Sequence, residues 1–179
     1  MAFFTENELR GYARDQRFRT FAHVKEAREQ ATVSIFLSHS HKDKDLVLGL
    51  IAYFEKLGIK IYVDWNDKEM PRVTNRETAD KIKQKIAENN AFMVLATPNA
   101  IESKWVPWEV GIADQVKGEL KVVVIPVADS SGRYVGAEYL QLYQRVEEAQ
   151  SGGYGVFRPE GKGHLMDFYL KMVGFMGSS

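Results

Sequence analysis

The 179 residues contain no cysteine, which excludes disulfides, thiolate nucleophiles and cysteine-ligated zinc. That absence fits a reducing compartment. Net charge is absent too: 24 basic and 24 acidic side chains cancel, so no global field draws the chain to nucleic acid or to an anionic membrane. Long apolar runs are missing, and Val122-Val123-Val124-Ile125 falls far short of the roughly 20 residues a spanning helix needs. The start, Met1-Ala2-Phe3-Phe4-Thr5-Glu6, has no basic n-region and meets an acid early, so no signal peptide is expected. H-E-x-x-H, the P-loop, G-x-G-x-x-G and G-x-S-x-G do not occur, nor does any internal repeat or low-complexity segment. What is present is a chain 45% hydrophobic and 12% aromatic, long enough for one domain with a substantial core. The expectation is a cytoplasmic globular protein with neither nucleic-acid nor membrane partners.

From Val33 onward, short apolar runs alternate with amphipathic stretches. Val33-Ser34-Ile35-Phe36-Leu37 predicts a buried strand, and Ser40 with Asp43 a capping pair for the helix that follows. Leu46, Val47, Leu50, Ile51, Phe54 and Leu57 form that helix's apolar stripe, which stops at Gly58. Ile59 to Val63 predicts a second strand closing on Asp64-Trp65, followed by a polar loop from Asn66 to Val73 that contains Pro71. Thr74 and Glu77 read as the capping box of a second helix whose buried face is Ala79, Ile82 and Ile86. Phe92 to Thr97 and Lys121 to Val127 predict two more strands, with a helix between them from near Trp105 to Lys117-Gly118.

Four strand–helix alternations imply parallel strands joined by right-handed crossovers. Continuous rather than alternating apolar runs imply that both sheet faces are covered. The fold class expected is α/β: a flavodoxin-like, doubly wound, mainly parallel five-stranded sheet. The organisation expected is an N-terminal helical extension over residues 1–30, a core over 31–128, and a C-terminal part over 129–179 that completes the domain. In the extension, Leu9, Tyr12 and Ala13, then Phe18, Phe21 and Ala22, form two short helical stripes. In the C-terminal part, Tyr154 to Phe157 predicts the last strand, and Leu165, Phe168, Met172 and Phe175 the buried face of a final helix. Ligands of such sheets bind at the carboxyl ends of the strands, here the loops after Leu37, Val63 and Thr97.

At that edge, His39 and His41 have no third and fourth ligand close by in sequence, so no metal site is expected of them. A receiver domain needs a carboxylate cluster after its first strand, and Ser38-His39 stands there instead. The informative segment is Ser103-Lys104-Trp105-Val106-Pro107-Trp108-Glu109. Proline is tolerated only in the first helical turn, so Pro107 sets the helix start near Val106 and Glu109 within the first or second turn. The helix dipole favours an ionised carboxylate there. The same preference holds for acids that serve no site, so spacing alone leaves Glu109 open between an ordinary helix start and a functional group.

Taken in order, Ile35-Phe36-Leu37-Ser38-His39-Ser40, Asp64-Trp65, the Pro71 loop and Ser103-x-Trp105-x-x-x-Glu109 resemble a TIR domain of the bacterial kind. The resemblance runs from Val33 to Val127 and implies the flavodoxin-like sheet. In enzymatic members, a glutamate in a Trp-x-x-x-Glu pattern is required to cleave the nicotinamide–ribose bond of NAD+, and Glu109 matches it. The loop after the second strand gates the site and mediates TIR–TIR contacts in the family, which gives that role to Asn66–Val73. The resemblance therefore implies Glu109 as the catalytic residue, with NAD+ as substrate and no cofactor. It implies Ser38, His39, Phe36, Trp65, Trp105, Lys68 and Arg72 as the substrate-binding set. Of these, Phe36, Trp65 and Trp105 are candidates for an aromatic berth for nicotinamide. N–H groups at Ser40–Lys42, with Lys68, Arg72, Arg76 and Lys104, are candidates for the diphosphate. The loop lacks the glycine of the Arg-Asp-x-x-Pro-Gly box found in many animal adaptors, and the short N-terminal extension resembles the standalone TIR enzymes of Thoeris-type anti-phage systems. That likeness implies self-association and a separate effector that senses the product. Two other readings are a non-catalytic TIR interaction module and a glycosidic-bond enzyme like nucleoside deoxyribosyltransferases, with the carboxylate as covalent nucleophile.

Overall fold

The computed structural model describes residues 2–15, 33–67 and 75–176. Its strands are β1 (Phe4–Thr5), β2 (Val33–Ser38), β3 (Ile59–Tyr62), β4 (Ala91–Ala96), β5 (Val122–Ala128), β6 (Gln144–Glu148), β7 (Tyr154–Phe157) and β8 (Gly163–Leu165). Its helices are α1 (Glu6–Arg14), α2 (Lys44–Lys56), α3 (Arg76–Glu88), α4 (Pro98–Ile101), α5 (Val106–Lys117) and α6 (Met166–Met176). The sheet order is β3-β2-β4-β5-β6-β7-β8, with β1 paired to the end of β5. The first five strands of that order are parallel, and β7 and β8 continue it antiparallel. This is the doubly wound arrangement expected. The chain leaves β2 toward β3 and later returns on β2's other side with β4, so the switch point lies between the carboxyl ends of β2 and β4.

The strands fill two cores by strict alternation. Met93 and Leu95 of β4 join Ile35, Leu37, Val123 and Ile125 under α1, α2 and α6, where Leu9, Leu50, Phe54, Tyr169 and Val173 pack. Phe92, Val94 and Ala96 face the other way with Phe36, Val122 and Val124, onto Ile82 and Ile86 of α3 and Val110 and Ala113 of α5. Helix α1 starts on a reciprocal capping box: Thr5 Oγ accepts from the Glu8 N–H (3.2 Å), and the Glu8 carboxylate accepts from the Thr5 N–H (2.8 Å). It lies so close on α2 that a Cβ at Gly49 would sit 1.8 Å from the Leu9 carbonyl oxygen, so only glycine fits there. Among the described residues, no helix is long and apolar enough to cross a membrane.

Several local expectations shift. The cap of α3 is Asn75, in a box with Thr78, one residue beyond the Thr74–Glu77 pair read from sequence. The fifth parallel strand is Gln144–Glu148, whose single aliphatic residue gave no strand signal, while Tyr154–Phe157 pairs antiparallel to it. In α6 the buried stripe is Met166, Tyr169, Leu170 and Val173; Leu165, at the end of β8, and Phe168 are about half exposed. The apolar residues of this helix lie nearly all round, so periodicity alone could not set its phase. Phe18, Phe21 and Ala22 lie outside the described residues, as do Lys68 and Arg72.

Candidate active site

The carboxyl ends of β2 and β4 open onto a cleft of about 540 Å³. Phe36, His39, His41, Asp64, Trp105 and Glu109 line it, with Lys42, Asn99 and Ser103 among others. Phe36, His39, Trp105 and Glu109 are among the site residues expected from the sequence, and folding brings them together with His41 and Asp64 from three separate segments. Ser103 sets up the Glu109 helix: its Oγ accepts from the N–H groups of Trp105 (3.2 Å) and Val106 (3.4 Å). With Pro107 in the first turn, α5 begins at Val106, and the Glu109 N–H donates to the Trp105 carbonyl (2.9 Å). Glu109 therefore sits in the first turn, as the proline spacing predicts.

Its environment is not that of an ordinary surface cap. Glu109 is 8% exposed, and its carboxylate accepts one side-chain hydrogen bond, from Ser38 Oγ at the end of β2 (2.5 Å). Burial pushes its carboxyl up to about 7, and the charge of Asp64 adds to the rise; the Ser38 hydroxyl and His41 act against it. A carboxyl poised near neutrality in a cleft has the properties of a functional acid or base.

Ser38 is buried and serves this carboxylate directly. His39 is also buried: its Nδ1–H donates to the Leu37 carbonyl (2.8 Å), and burial lowers its pKa. Phe36 stacks between Tyr62 (5.4 Å) and Phe92 (5.6 Å) and forms part of the cleft wall. Trp105 stands edge-on to Trp108 (5.3 Å) and borders both the cleft and a neighbouring groove that includes Arg76, Lys83 and Lys104. Trp65 is not among the residues lining the cleft; it packs edge-on against His39 (4.5 Å, 83°), which is. The helix start is a three-residue 3-10 turn, His41–Asp43, capped by Ser40. Lys42 N–H bonds Ser40 Oγ (3.4 Å), and Asp43 N–H bonds the Ser40 carbonyl (2.9 Å). Lys42 also lies on the cleft wall.

Sequence reading gave no role to Asp43 beyond capping, nor any to Asn99. Buried Asp43 accepts from Thr97 Oγ (2.5 Å) and Asn99 Nδ2 (2.6 Å), clasping the loop after β2 to the loop after β4. Thr97 also caps α4 by accepting from the Ala100 N–H (3.0 Å). Residues about 55 apart in sequence gave no local signal of this clasp.

The chain resembles two curated proteins. It is 37% identical over 163 residues to a protein of Bacillus cereus (strain MSX-D12) named as a probable 3' cyclic ADP-D-ribose synthase, ThsB', covering 82% of this chain and 83% of that one. It is 27% identical over 113 residues to a protein of Cytobacillus dafuensis named as a candidate cyclic ADP-D-ribose synthase, TIR2, covering 54% of this chain and 30% of that one. Residues 35–151 match the TIR domain family, a span that holds most of the parallel sheet and every described side chain lining the cleft. The chain belongs to the TIR domain family.

Proposed function

We propose that the cleft cleaves the nicotinamide–ribose bond of NAD+ and closes the ADP-ribose that remains into a cyclic product. The observation that carries this reading is Glu109: a nearly buried carboxylate held by one hydroxyl at the cleft wall, at the glutamate of the Trp-x-x-x-Glu pattern. The names of the two relatives support the product class.

The chemistry suits a lone carboxylate. The nicotinamide ring is cationic while bonded, so the electron pair of the breaking C–N bond neutralises it and no general acid is needed. The ribosyl group passes through an oxocarbenium-like state. A fixed anion in a dry site stabilises that charge far better than water-screened carboxylates do. Ionised Glu109 then accepts the proton of the ADP-ribose group that attacks the anomeric carbon. Ser38 orients the carboxylate and holds it nearer its ionised form. Phe36 and Trp105 offer apolar walls for nicotinamide, and Lys42, with Lys104 in the adjoining groove, offers positive charge to the diphosphate. Lys68 and Arg72 remain proposed contributors from the loop. Cyclisation rather than hydrolysis requires that water be kept from the anomeric carbon. We place TIR–TIR self-association at the Asn66–Val73 loop, and we place the enzyme in the cytoplasm, where its product acts on a separate effector in anti-phage signalling.

A mass-resolved assay of NAD+ incubated with concentrated protein, with and without a crowding agent, tests the reading. The expected result is nicotinamide together with a cyclic ADP-ribose isomer. ADP-ribose alone, heavier by one water, would replace the cyclase reading with a hydrolase. No nicotinamide under any condition would favour the non-catalytic interaction module.

A further inference from the structure

We propose that His39, His41 and Asp64 form a three-ligand site for a divalent transition metal of the zinc class, with the remaining coordination position open to the cleft. The sequence places the two histidines at alternate positions after β2, and their rings stack with centroids 5.9 Å apart at 23°. What sequence distance concealed is the third ligand. Asp64, which follows β3, comes to the same point, and one ligand atom from each residue lies within 4.8 Å of the others.

The decisive atom is His39 Nε2. Because Nδ1–H donates to the Leu37 carbonyl (2.8 Å), the lone pair of the neutral ring is on Nε2, and that buried atom has no hydrogen-bond partner. A buried nitrogen without a partner calls for an explanation, and a ring whose other N–H is fixed by a backbone carbonyl is how proteins prepare a metal-binding histidine. Asp64 Oδ1 stands 3.7 Å from His39 Nε2, and Oδ2 stands 3.1 Å from His41 Nε2. The first distance is too long for a hydrogen bond. Both lie near the ~3.3 Å between neighbouring ligands of a tetrahedral ion with bonds of about 2.0–2.1 Å. The ligands are also held: Asp64 Oδ1 accepts from the Trp65 N–H (2.8 Å), and the Trp65 ring packs edge-on to His39. Two imidazoles and one carboxylate suit zinc, nickel or copper rather than magnesium or calcium. Three protein ligands with an open position match a site that remains accessible to small molecules. This inference concerns binding alone and stands whatever the cleft turns over.

The test titrates untagged, metal-free protein with Co2+ and then Zn2+, followed by visible absorption and calorimetry. The expected result is one Co2+ per chain with the intense bands of a tetrahedral ion, displaced by Zn2+. His41 has a side chain 75% exposed, so His41→Ala leaves the core intact. That variant and Asp64→Asn should each weaken binding at least about tenfold, while His164→Ala should bind as wild type does. Absence of saturable uptake by the wild type, or wild-type affinity in either His41→Ala or Asp64→Asn, would overturn the proposal.

Discussion

Two carboxylates on the same edge of the sheet are almost equally buried, Asp43 at 3% and Glu109 at 8%, yet they are built for different ends. Asp43 is held by two side-chain donors from the loop after β4, Thr97 Oγ and Asn99 Nδ2, and joins two segments of backbone. Glu109 has one side-chain donor, Ser38 Oγ, and the rest of its carboxylate meets the cleft. Burial costs a carboxylate its hydration in both places. At Asp43 that cost is offset by hydrogen bonds and the result is architecture. At Glu109 it is only partly offset, and the shortfall appears as a carboxyl raised to about 7. The number of donors, more than the depth, distinguishes these two carboxylates.

The largest effect expected from breaking this contrast is on turnover. Glu109→Gln keeps the shape and the Ser38 contact but removes the charge, and nicotinamide release should fall by about 10²–10³-fold or more. Its circular dichroism should match wild type. The same variant sharpens the contrast in stability. Because the folded carboxyl is raised above its ordinary 4.5, its contribution to stability is complete below about pH 4.5 and is lost as pH rises through about 7. On the alkaline side wild type should forfeit on the order of 3 kcal/mol from this one group. Urea melts should show Glu109→Gln gaining on wild type from about pH 4.5 to about pH 7, with a constant difference above that.

Asp43→Ala should do the reverse. It strands the Thr97 and Asn99 donors in a buried setting and should destabilise the fold by about 2 kcal/mol at every pH near neutrality, read from urea melts. Ser38→Ala is the smallest change. It deletes the hydrogen bond that lowers the Glu109 pKa, so its acid limb should move to higher pH and turnover at pH 7 should fall roughly tenfold. A melting curve like that of wild type would accompany it.

Strands β2 to β5 were legible because they are continuous apolar runs and the helices between them carry clear stripes and stops. The helix start at Pro107, and with it the place of Glu109, followed from proline stereochemistry. What was not legible depends on distance in the chain. The Asp43 clasp joins residues 54 and 56 apart, and Asp64 reaches the histidines from the next strand. Strand β6 was hidden because Gln144-Arg145-Val146-Glu147-Glu148 looks polar. Yet Glu147 is buried and paired with the opposite charge of Arg145, so composition misstates the depth. Trp65 stands at the right place in the sequence for a substrate contact, and its ring packs edge-on against His39. Which face a side chain takes at a strand end is set by the turn that follows, here the 3-10 turn Asp64–Asn66.

The central claim is that an ionised, under-coordinated Glu109 carries the chemistry, and the pH dependence of turnover tests it most directly. Nicotinamide release at NAD+ concentrations well below KM, measured from about pH 5 to pH 8, should rise with a single acid limb near pH 7 and level off above it. A flat profile across that range, or turnover that increases toward acid, would contradict it.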